Sequence, residues 1–327
     1  MPKFLIVGPT FYEWDLGFYL QQLLREQDLN CRAFAYLPFP SDAQANAELV
    51  RRVREWRPDF ILGIQLEQIT PESLQRIRRL GTRIVHWYVD CFTPQVPLWI
   101  KPLLREVDLF LTSARGMLPK YRAFTAAPVH WMYEGVYLPA YPSLAPTRAV
   151  RRAYGSPVAF IGSIFQPPVR NQQLARRRLE LFTRIGARYP LRVWGPQVRL
   201  PQSPSFQITR WPTYHQDYVR VCRSSAIMLG VNTVNSVELY FSNRTFHTLA
   251  SGGFHLTEYV PSLEELFENQ RHLVWYKTDE ECLELIAYYL KRPTARARIA
   301  EQGREFTRRR YSMRHQLNKI LNLLKTL

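Results

Sequence analysis

The stretch around residue 244 combines residue types that suit the binding of an anion. Asn243 and Arg244 stand at the start of a predicted helix that stops at Gly252-Gly253, and the strand Phe254–Thr257 follows. The first turn of a helix leaves backbone N–H groups unpaired and carries the positive end of the helix dipole. Arg244 adds a planar guanidinium that fits a phosphate. The pattern predicts an anion site, although an ordinary amphipathic helix with a glycine at its end would look similar.

A second candidate stands at the start of the second half of the chain. The predicted strand Val158–Ile161 runs into Gly162-Ser163, and Arg170 precedes a helix. A glycine at the carboxyl end of a strand lets the backbone approach a ligand, and an arginine can neutralise phosphate. The segment is neither a Walker A loop nor a full dinucleotide fingerprint. Taken alone, Gly162 is equally well an ordinary turn glycine.

The first half offers a carboxylate and a glycine-bounded loop. Asp90 follows the predicted strand Arg83–Tyr88 and can act as a base on a hydroxyl, but it can also cap a helix or pair with an arginine. Gly8 ends the first strand and Gly17 opens the first helix, so their loop is a candidate phosphate contact. Glu134 lies shortly before a predicted linker and is a further candidate site residue.

Composition limits the class of protein. The 327 residues favour two domains, and 46% hydrophobic content is enough for sizeable cores. The net charge of +17 favours anionic partners, either nucleotides, nucleic acid or an acidic membrane, although an arginine-rich surface can also reflect genomic composition. Four scattered cysteines suit neither a zinc site nor a disulfide framework. Without an apolar run that could span a bilayer or an evident signal peptide, a cytoplasmic protein is expected.

Strand and helix patterns alternate along both halves of the chain, which predicts parallel sheets with crossover helices. A Pro-, Ser- and Ala-rich stretch, Tyr137–Pro157, is predicted to be a linker. The expected fold class is α/β, with two Rossmann-like doubly wound domains facing a cleft. The expected boundaries are 1–150 for an acceptor-side domain, 151–309 for a nucleotide-sugar domain, and 310–327 for a helix that returns to the first domain.

Several motifs of the second half occur in a recognisable order. They include Phe160–Ser163, Leu191–Gly195, Asn243–Phe246, Leu249–Val260 and Tyr311–Arg314. This text resembles the group 1 glycosyltransferases of the GT-B fold and looks closest to the spore-protein-like branch. The resemblance covers nearly all of residues 155–327 and includes, more weakly, Trp87–Asp90.

The resemblance implies a glycosyltransferase with a nucleotide-sugar donor, UDP-linked or of another base, and no protein cofactor. Arg170, Asn243 and Arg244 would bind the diphosphate, residues 211–214 would lie by the base, and residue 247 by the ribose. The complete expected donor set is Gly8, Gly162, Ser163, Arg170, Trp211, Tyr214, Asn243, Arg244, Thr245 and His247. Asp90 is the catalytic candidate, and Gly17, Glu134 and Glu258 are the sugar or acceptor candidates.

The sequence departs from the family at two places. His247 stands where the family usually has glutamate, and Glu238 lies nine residues before it rather than eight. An imidazole can still hydrogen-bond a ribose hydroxyl, but it lacks the two oxygens of a carboxylate. Without an Asp-x-Asp segment or a His/Cys cluster at ligand spacing, no metal is expected.

Other functions remain open at this point. A GT-B-like sugar-nucleotide epimerase would bind the same nucleotide, and a non-catalytic binding protein would agree with the missing glutamate. Nucleic-acid binding is disfavoured because the basic residues form no single stripe and no known motif. The acceptor is an unidentified hydroxyl on a glycan, lipid or protein, and the basic surface suggests contact with the inner face of an anionic membrane.

Overall fold

The computed structural model describes residues 1–13, 15–164, 172–196, 205–210 and 216–327. The chain forms two compact units. Unit 1 contains Met1–Glu134, Val237–Tyr240 and Met313–Leu327, and unit 2 contains Gly135–Ser236 and Phe241–Ser312.

Unit 1 is built on a six-stranded parallel sheet with helices between the strands. Its strands are β1 (Lys3–Gly8), β2 (Asn30–Ala35), β3 (Phe60–Ile64), β4 (Arg83–Tyr88), β5 (Leu109–Thr112) and β6 (Val129–Trp131). Its helices in this part of the chain are α1 (Leu16–Arg25), α2 (Asp42–Trp56), α3 (Pro71–Arg79), α4 (Ile100–Leu103) and α5 (Leu118–Arg122). The strand order is β2-β1-β3-β4-β5-β6, so the order reverses between β1 and β3.

Local sequence explains these elements. The β1 residues Phe4–Val7 are all buried, as expected for a parallel strand that is covered on both faces. Ser41 caps α2 by accepting a hydrogen bond from the backbone of Gln44, and Thr70 caps α3, whose first residue is proline. Capping by serine or threonine ahead of a periodic apolar pattern made these two helices predictable.

Unit 2 has a second six-stranded parallel sheet. Its strands are β7 (Val158–Ile161), β8 (Leu191–Gly195), β9 (Gln207–Arg210), β10 (Ile227–Gly230), β11 (His255–Glu258) and β12 (Val274–Tyr276). Its helices are α6 (Arg148–Tyr154), α7 (Gln172–Gly186), α8 (Gln216–Ser224), α9 (Arg244–Ser251), α10 (Asp279–Leu290) and α11 (Pro293–Arg310). The strand order β12-β11-β10-β7-β8-β9 is that of the dinucleotide-binding Rossmann fold. The α/β class with two doubly wound sheets is therefore confirmed.

The last helix, α12 (Met313–Leu324), counts with unit 1. It packs against α1, where Arg314 pairs with Glu26. The short segment Val237–Tyr240 is also part of unit 1. In this segment Glu238 forms an ion pair with Arg115, with 2.7 Å between Oε1 and Nη2. Unit 1 is thus assembled from three separate pieces of chain.

The segment that was predicted to be a linker differs from that expectation. It contains α6, which begins after a Thr147 side-chain cap and has no buried residue. Tyr154 stacks on Trp194 with ring centroids 5.7 Å apart, and its hydroxyl donates to Asp217 at 3.0 Å. These contacts hold α6 on unit 2, whose first residue is Gly135. The strand β9 was not predicted, because its four residues show no continuous apolar run.

No helix in the described parts of the chain is long and apolar enough to cross a membrane. All four cysteines are free thiols.

Candidate functional site

The strand order of unit 2 identifies one edge of the sheet as the place for a ligand. The order reverses between β7 and β10, and ligands of doubly wound sheets bind outside the carboxyl ends of the strands at that reversal. Gly162-Ser163 follows β7, Val231-Asn232 follows β10, and Glu258 ends β11. The sheet therefore brings the two sequence candidates, Gly162 and Arg244, to one edge.

Gly162 is in close contact with the first residue of α9. A Cβ atom at position 162 would overlap Nη1 of Arg244 and would lie 2.6 Å from the Phe160 ring. The Arg244 guanidinium lies 5.0 Å from the centroid of that ring, and its Nη2 donates to the carbonyl of Val231 at 3.1 Å. A side chain other than glycine at 162 would displace Arg244 from this position.

A second arginine, Arg178, lies behind the first and was not predicted. It is 4% exposed, and it donates to the carbonyls of Ser163 at 2.5 Å and Val231 at 3.2 Å. Burial, and then the neighbouring Arg244, lower the pKa of Arg178 to about 9. In the sequence, Arg178 is one of several arginines on a predicted helix and could not be told from a surface residue. The fold brings it to the residues that follow β7 and β10.

Glu258, a candidate for contact with the sugar, is an internal acceptor in unit 2. The residue is 1% exposed, and its Oε1 accepts from Arg177 and from Nδ2 of Asn235 at 2.7 Å. Its Oε2 accepts from the backbone N–H of Asn232 at 3.1 Å. Both carboxylate oxygens are thus used to hold the loop after β10.

The start of α9 differs in detail from the prediction. Asn243 occupies the N-cap position with helical backbone angles and makes no side-chain cap, and the Ser242 hydroxyl accepts from the Arg244 N–H at 3.4 Å. Thr245 is 2% exposed, and its hydroxyl is hydrogen-bonded to Nε2 of His255 at 3.2 Å. The side chain of Thr245 is therefore held in the interior by His255.

His247 packs between aromatic rings. Its ring centroid is 5.3 Å from that of Tyr141 and 5.9 Å from that of Tyr218. Burial, and then the positive charge of Arg244, lower the pKa of His247 to about 4. The imidazole is neutral at pH 7, so one ring nitrogen can donate and the other can accept.

In unit 1, the two glycine candidates lie on either side of one aromatic ring. A Cβ atom at Gly17 would be 2.6 Å from the Phe11 ring, and one at Gly8 would be 3.6 Å from it. Asp15 orders the same loop by accepting from the N–H of Tyr12 at 2.8 Å. The Phe11 ring therefore packs against both glycines.

Asp90 follows β4, as predicted. It is oriented by Gln65, a residue that the sequence did not indicate. Nε2 of Gln65 donates to Oδ2 of Asp90 at 2.5 Å. Gln65 follows β3 and has a φ of 65°, a left-handed conformation that side chains other than glycine rarely adopt. Glu134, the other acidic candidate, is half-buried after β6.

Arg170, Trp211 and Tyr214 lie outside the described residues. In the ranges that are described, no group of three or more His, Cys, Asp or Glu side chains could hold a metal ion.

Comparisons with known proteins agree with this geometry. Residues 171–322 match the model of the family described as Glycosyl transferase-like. The solved structure of Anabaena Alr3699/HepE in complex with UDP and glucose has a TM-score of 0.71 at 13% identity, with 100% of both chains covered. Sucrose-phosphate synthase from Thermosynechococcus elongatus has a TM-score of 0.70 at 12% identity, again over 100% of both chains.

A UDP-forming α,α-trehalose-phosphate synthase from Burkholderia xenovorans is similar with a TM-score of 0.68 at 12% identity, over 99% of each chain. No curated protein matches the sequence. At such identities the structural likeness shows that the chain has the GT-B fold of these solved structures. Residues 171–322 are in addition similar to the glycosyltransferase-like family. The narrower resemblance to the spore-protein-like branch stays a prediction.

Proposed function

We propose that the chain transfers a sugar from a nucleotide-sugar donor to an acceptor hydroxyl, and that unit 2 holds the donor. The observation that carries the proposal is the position of Arg244. Its guanidinium lies beside Gly162 at the carboxyl ends of β7 and β10, with Arg178 buried behind it. Two positive charges at the reversal of a doubly wound sheet suit a diphosphate.

The first donor to be tested is a UDP-sugar. A HepE structure of similar fold contains UDP-glucose, with a TM-score of 0.70 at 12% identity. In our proposal Arg244, Arg170, Ser163 and the start of α9 bind the diphosphate. Trp211 and Tyr214 lie by the base, and the neutral His247 hydrogen-bonds a ribose hydroxyl, because it can both donate and accept.

In the proposed reaction, the acceptor oxygen forms a bond to the anomeric carbon of the donor sugar. The bond from that carbon to the diphosphate oxygen breaks, and the nucleoside diphosphate leaves with the electron pair. Arg244 and Arg170 stabilise the charge on the leaving group without a metal ion. Asp90, held by Gln65, accepts the proton of the acceptor hydroxyl.

The proposal extends to where the enzyme works. The four free cysteines suit a reducing cytoplasm, and the net charge of +17 suits the anionic inner face of a membrane that carries a lipid-linked acceptor. Flotation with anionic and neutral vesicles tests the membrane part. Equal recovery in both vesicle fractions contradicts it.

The donor proposal is tested by thermal shift with UDP, GDP, ADP, CDP and TDP, followed by transfer assays with the matching sugar nucleotide. A ligand that binds only the folded state raises the melting temperature. We expect one diphosphate to do so, and we expect Arg170→Ala and Arg244→Ala each to lower turnover about 100-fold, as loss of a transition-state donor does. Arg188→Ala, at an exposed arginine of unit 2, is the matched control and should leave turnover unchanged. If no diphosphate shifts the melting temperature, the donor site is wrongly assigned.

A further inference from the structure

Unit 2 has a cavity at the edge of its sheet opposite to the proposed donor site. The cavity has a volume of about 460 Å³. Its wall includes Ser224 and Ser225, which precede β10, and Gly252 and Phe254, which precede β11. These residues mark the amino ends of the two strands, whereas Gly162 and Arg244 lie at carboxyl ends.

Three arginines from three different helices line this cavity. Arg151 comes from α6, Arg223 from α8 and Arg296 from α11. Arg151 is exposed, and the other two are half-buried. The cavity also has one acidic residue in its wall, Glu301, but its carboxylate pairs with Arg304 at 2.8 Å. The three lining guanidinium groups therefore keep a net positive charge.

Arg223 is half-buried, and within the described residues its side chain makes no hydrogen bond or ion pair. Burial and then the positive charge of Arg304 lower its pKa, the carboxylate of Glu301 opposes this shift, and Arg151 adds to it. The nearby positive charges therefore favour an anion at this place.

The start of one helix adds neutral backbone donors to the cavity wall. Helix α11 starts here at Pro293, without a side-chain cap and without an acidic residue in its first turn, so its positive end is not compensated locally. The hydroxyls of Ser224 and Ser225 are buried and have no hydrogen-bond partner within the described part of the chain.

We propose that this cavity is a second anion site, which binds a phosphate group through Arg151, Arg223 and Arg296. The site is separate from the one proposed for the donor diphosphate, because the two lie at opposite ends of the strands of unit 2. The proposal of this second site does not depend on the identity of the donor or on the transfer reaction. The phosphate group belongs either to a small metabolite or to a lipid headgroup.

The experiment is isothermal titration of the full chain with inorganic phosphate, with sodium chloride at the same ionic strength as the reference. We compare the parent with Arg151→Ala, Arg223→Gln and the double variant, each checked for its fold by circular dichroism. Arg188→Ala is the control for loss of a surface charge, and Arg244→Ala removes the competing site near α9. Arg151→Ala changes an exposed residue, so it remains informative if the Arg223 variants fail to fold.

We expect Arg188→Ala to bind phosphate like the parent. Arg244→Ala should retain the binding event that depends on Arg151 and Arg223, and the affinity of that event should fall at least tenfold in the double variant. Affinities that agree within twofold between the parent and all folded Arg151 and Arg223 variants would overturn the proposal. So would a loss of phosphate binding in Arg244→Ala, since the phosphate would then occupy the donor site. Flotation with phosphatidylcholine vesicles that contain phosphatidic acid identifies the source: capture that requires Arg151 and Arg223 indicates a lipid headgroup, and its absence together with phosphate binding indicates a metabolite.

Discussion

Arg244 reaches its position only because residue 162 is a glycine, since a Cβ atom there would overlap Nη1 of the arginine. Residue 162 is therefore a close-packing partner of Arg244, in addition to being a turn residue. The two residues are 82 positions apart in the sequence, and the pairing of β7 with β10 brings them together.

This contact predicts that Gly162→Ala weakens donor binding. The added methyl displaces the Arg244 guanidinium, and losing a charge-assisted contact of about 1.5–3 kcal/mol corresponds to roughly tenfold to hundredfold in affinity. Titration with the nucleoside diphosphate found in the thermal-shift panel measures the effect. In an Arg244→Ala background the same substitution should change affinity much less, because the group that it displaces is gone. Independent, additive effects would show that Gly162 acts in another way.

Gln65 is predicted to position Asp90. Gln65→Ala removes the 2.5 Å hydrogen bond to the carboxylate, so kcat should fall about tenfold while KM for the donor stays within about twofold. Asp90→Asn should lower kcat by at least about 100-fold if Asp90 is the base.

The control for this prediction is Gln75→Ala. Gln75 also donates to a carboxylate, that of Glu106 at 2.9 Å, but the pair is exposed on unit 1. Its loss should leave kcat unchanged. An equal decrease in both glutamine variants, or an active Asp90→Asn enzyme, would contradict the role given to Asp90.

Glu258 is predicted to stabilise unit 2 rather than to contact substrate. Glu258→Ala leaves the donors of Arg177, Asn235 and Asn232 without their acceptor, and the free energy of unfolding should fall by about 2–4 kcal/mol. Glu258→Gln keeps one oxygen and should lose less. Urea unfolding measures the free energy of unfolding of both variants. The control is Glu284→Ala, at an exposed residue of α10, whose free energy of unfolding should lie within about 0.5 kcal/mol of that of the parent. A fully stable Glu258→Ala protein would reject this role.

His86 is predicted to make the fold less stable in acid. The residue is fully buried, and burial lowers its pKa to about 3, an effect that the backbone of Gln65 offsets only in part. Between the unfolded pKa of about 6.5 and the folded value, the unfolded state binds the extra proton, so stability falls as the pH falls. From pH 7.5 to pH 5, His86 alone accounts for about 2 kcal/mol of that loss.

His86→Phe should remove this part of the pH dependence. It should also not lower stability at pH 7.5, because a phenyl ring has no unpaired polar atom and the site already packs against Phe110 at 5.3 Å. Urea unfolding at the two pH values is the measurement. His130→Phe, at an exposed histidine, should follow the parent at both. If His86→Phe loses as much stability in acid as the parent, the buried imidazole is not the cause.

Much of this architecture could be predicted from the sequence, because parallel strands that are covered on both faces appear as continuous apolar runs. Val158–Ile161 and Arg83–Tyr88 were predicted with their observed bounds for this reason. The helix that starts at Arg244 was predictable from its apolar spacing and its Gly252 stop, which adopts a φ of 80°.

The partners of the candidate site residues were not predictable. Arg178 and Glu258 lie in different elements, and what each contacts depends on the order in which β7, β10 and β11 pair. Likewise, the position of Gln65 depends on its left-handed backbone conformation after β3, which a glycine at this position would have indicated in the sequence. Local patterns specify elements, whereas such contacts arise from the global fold.

The segment Val237–Tyr240 has a consequence for the order in which the protein can be made. Leu239 and Tyr240 are buried residues of unit 1, yet they are translated after β10 of unit 2, and α12 is translated after α11 of unit 2. Domains usually fold as the chain emerges, the N-terminal one first. Here residues 1–134 leave the ribosome before Val237–Tyr240 and α12 can take their places in unit 1.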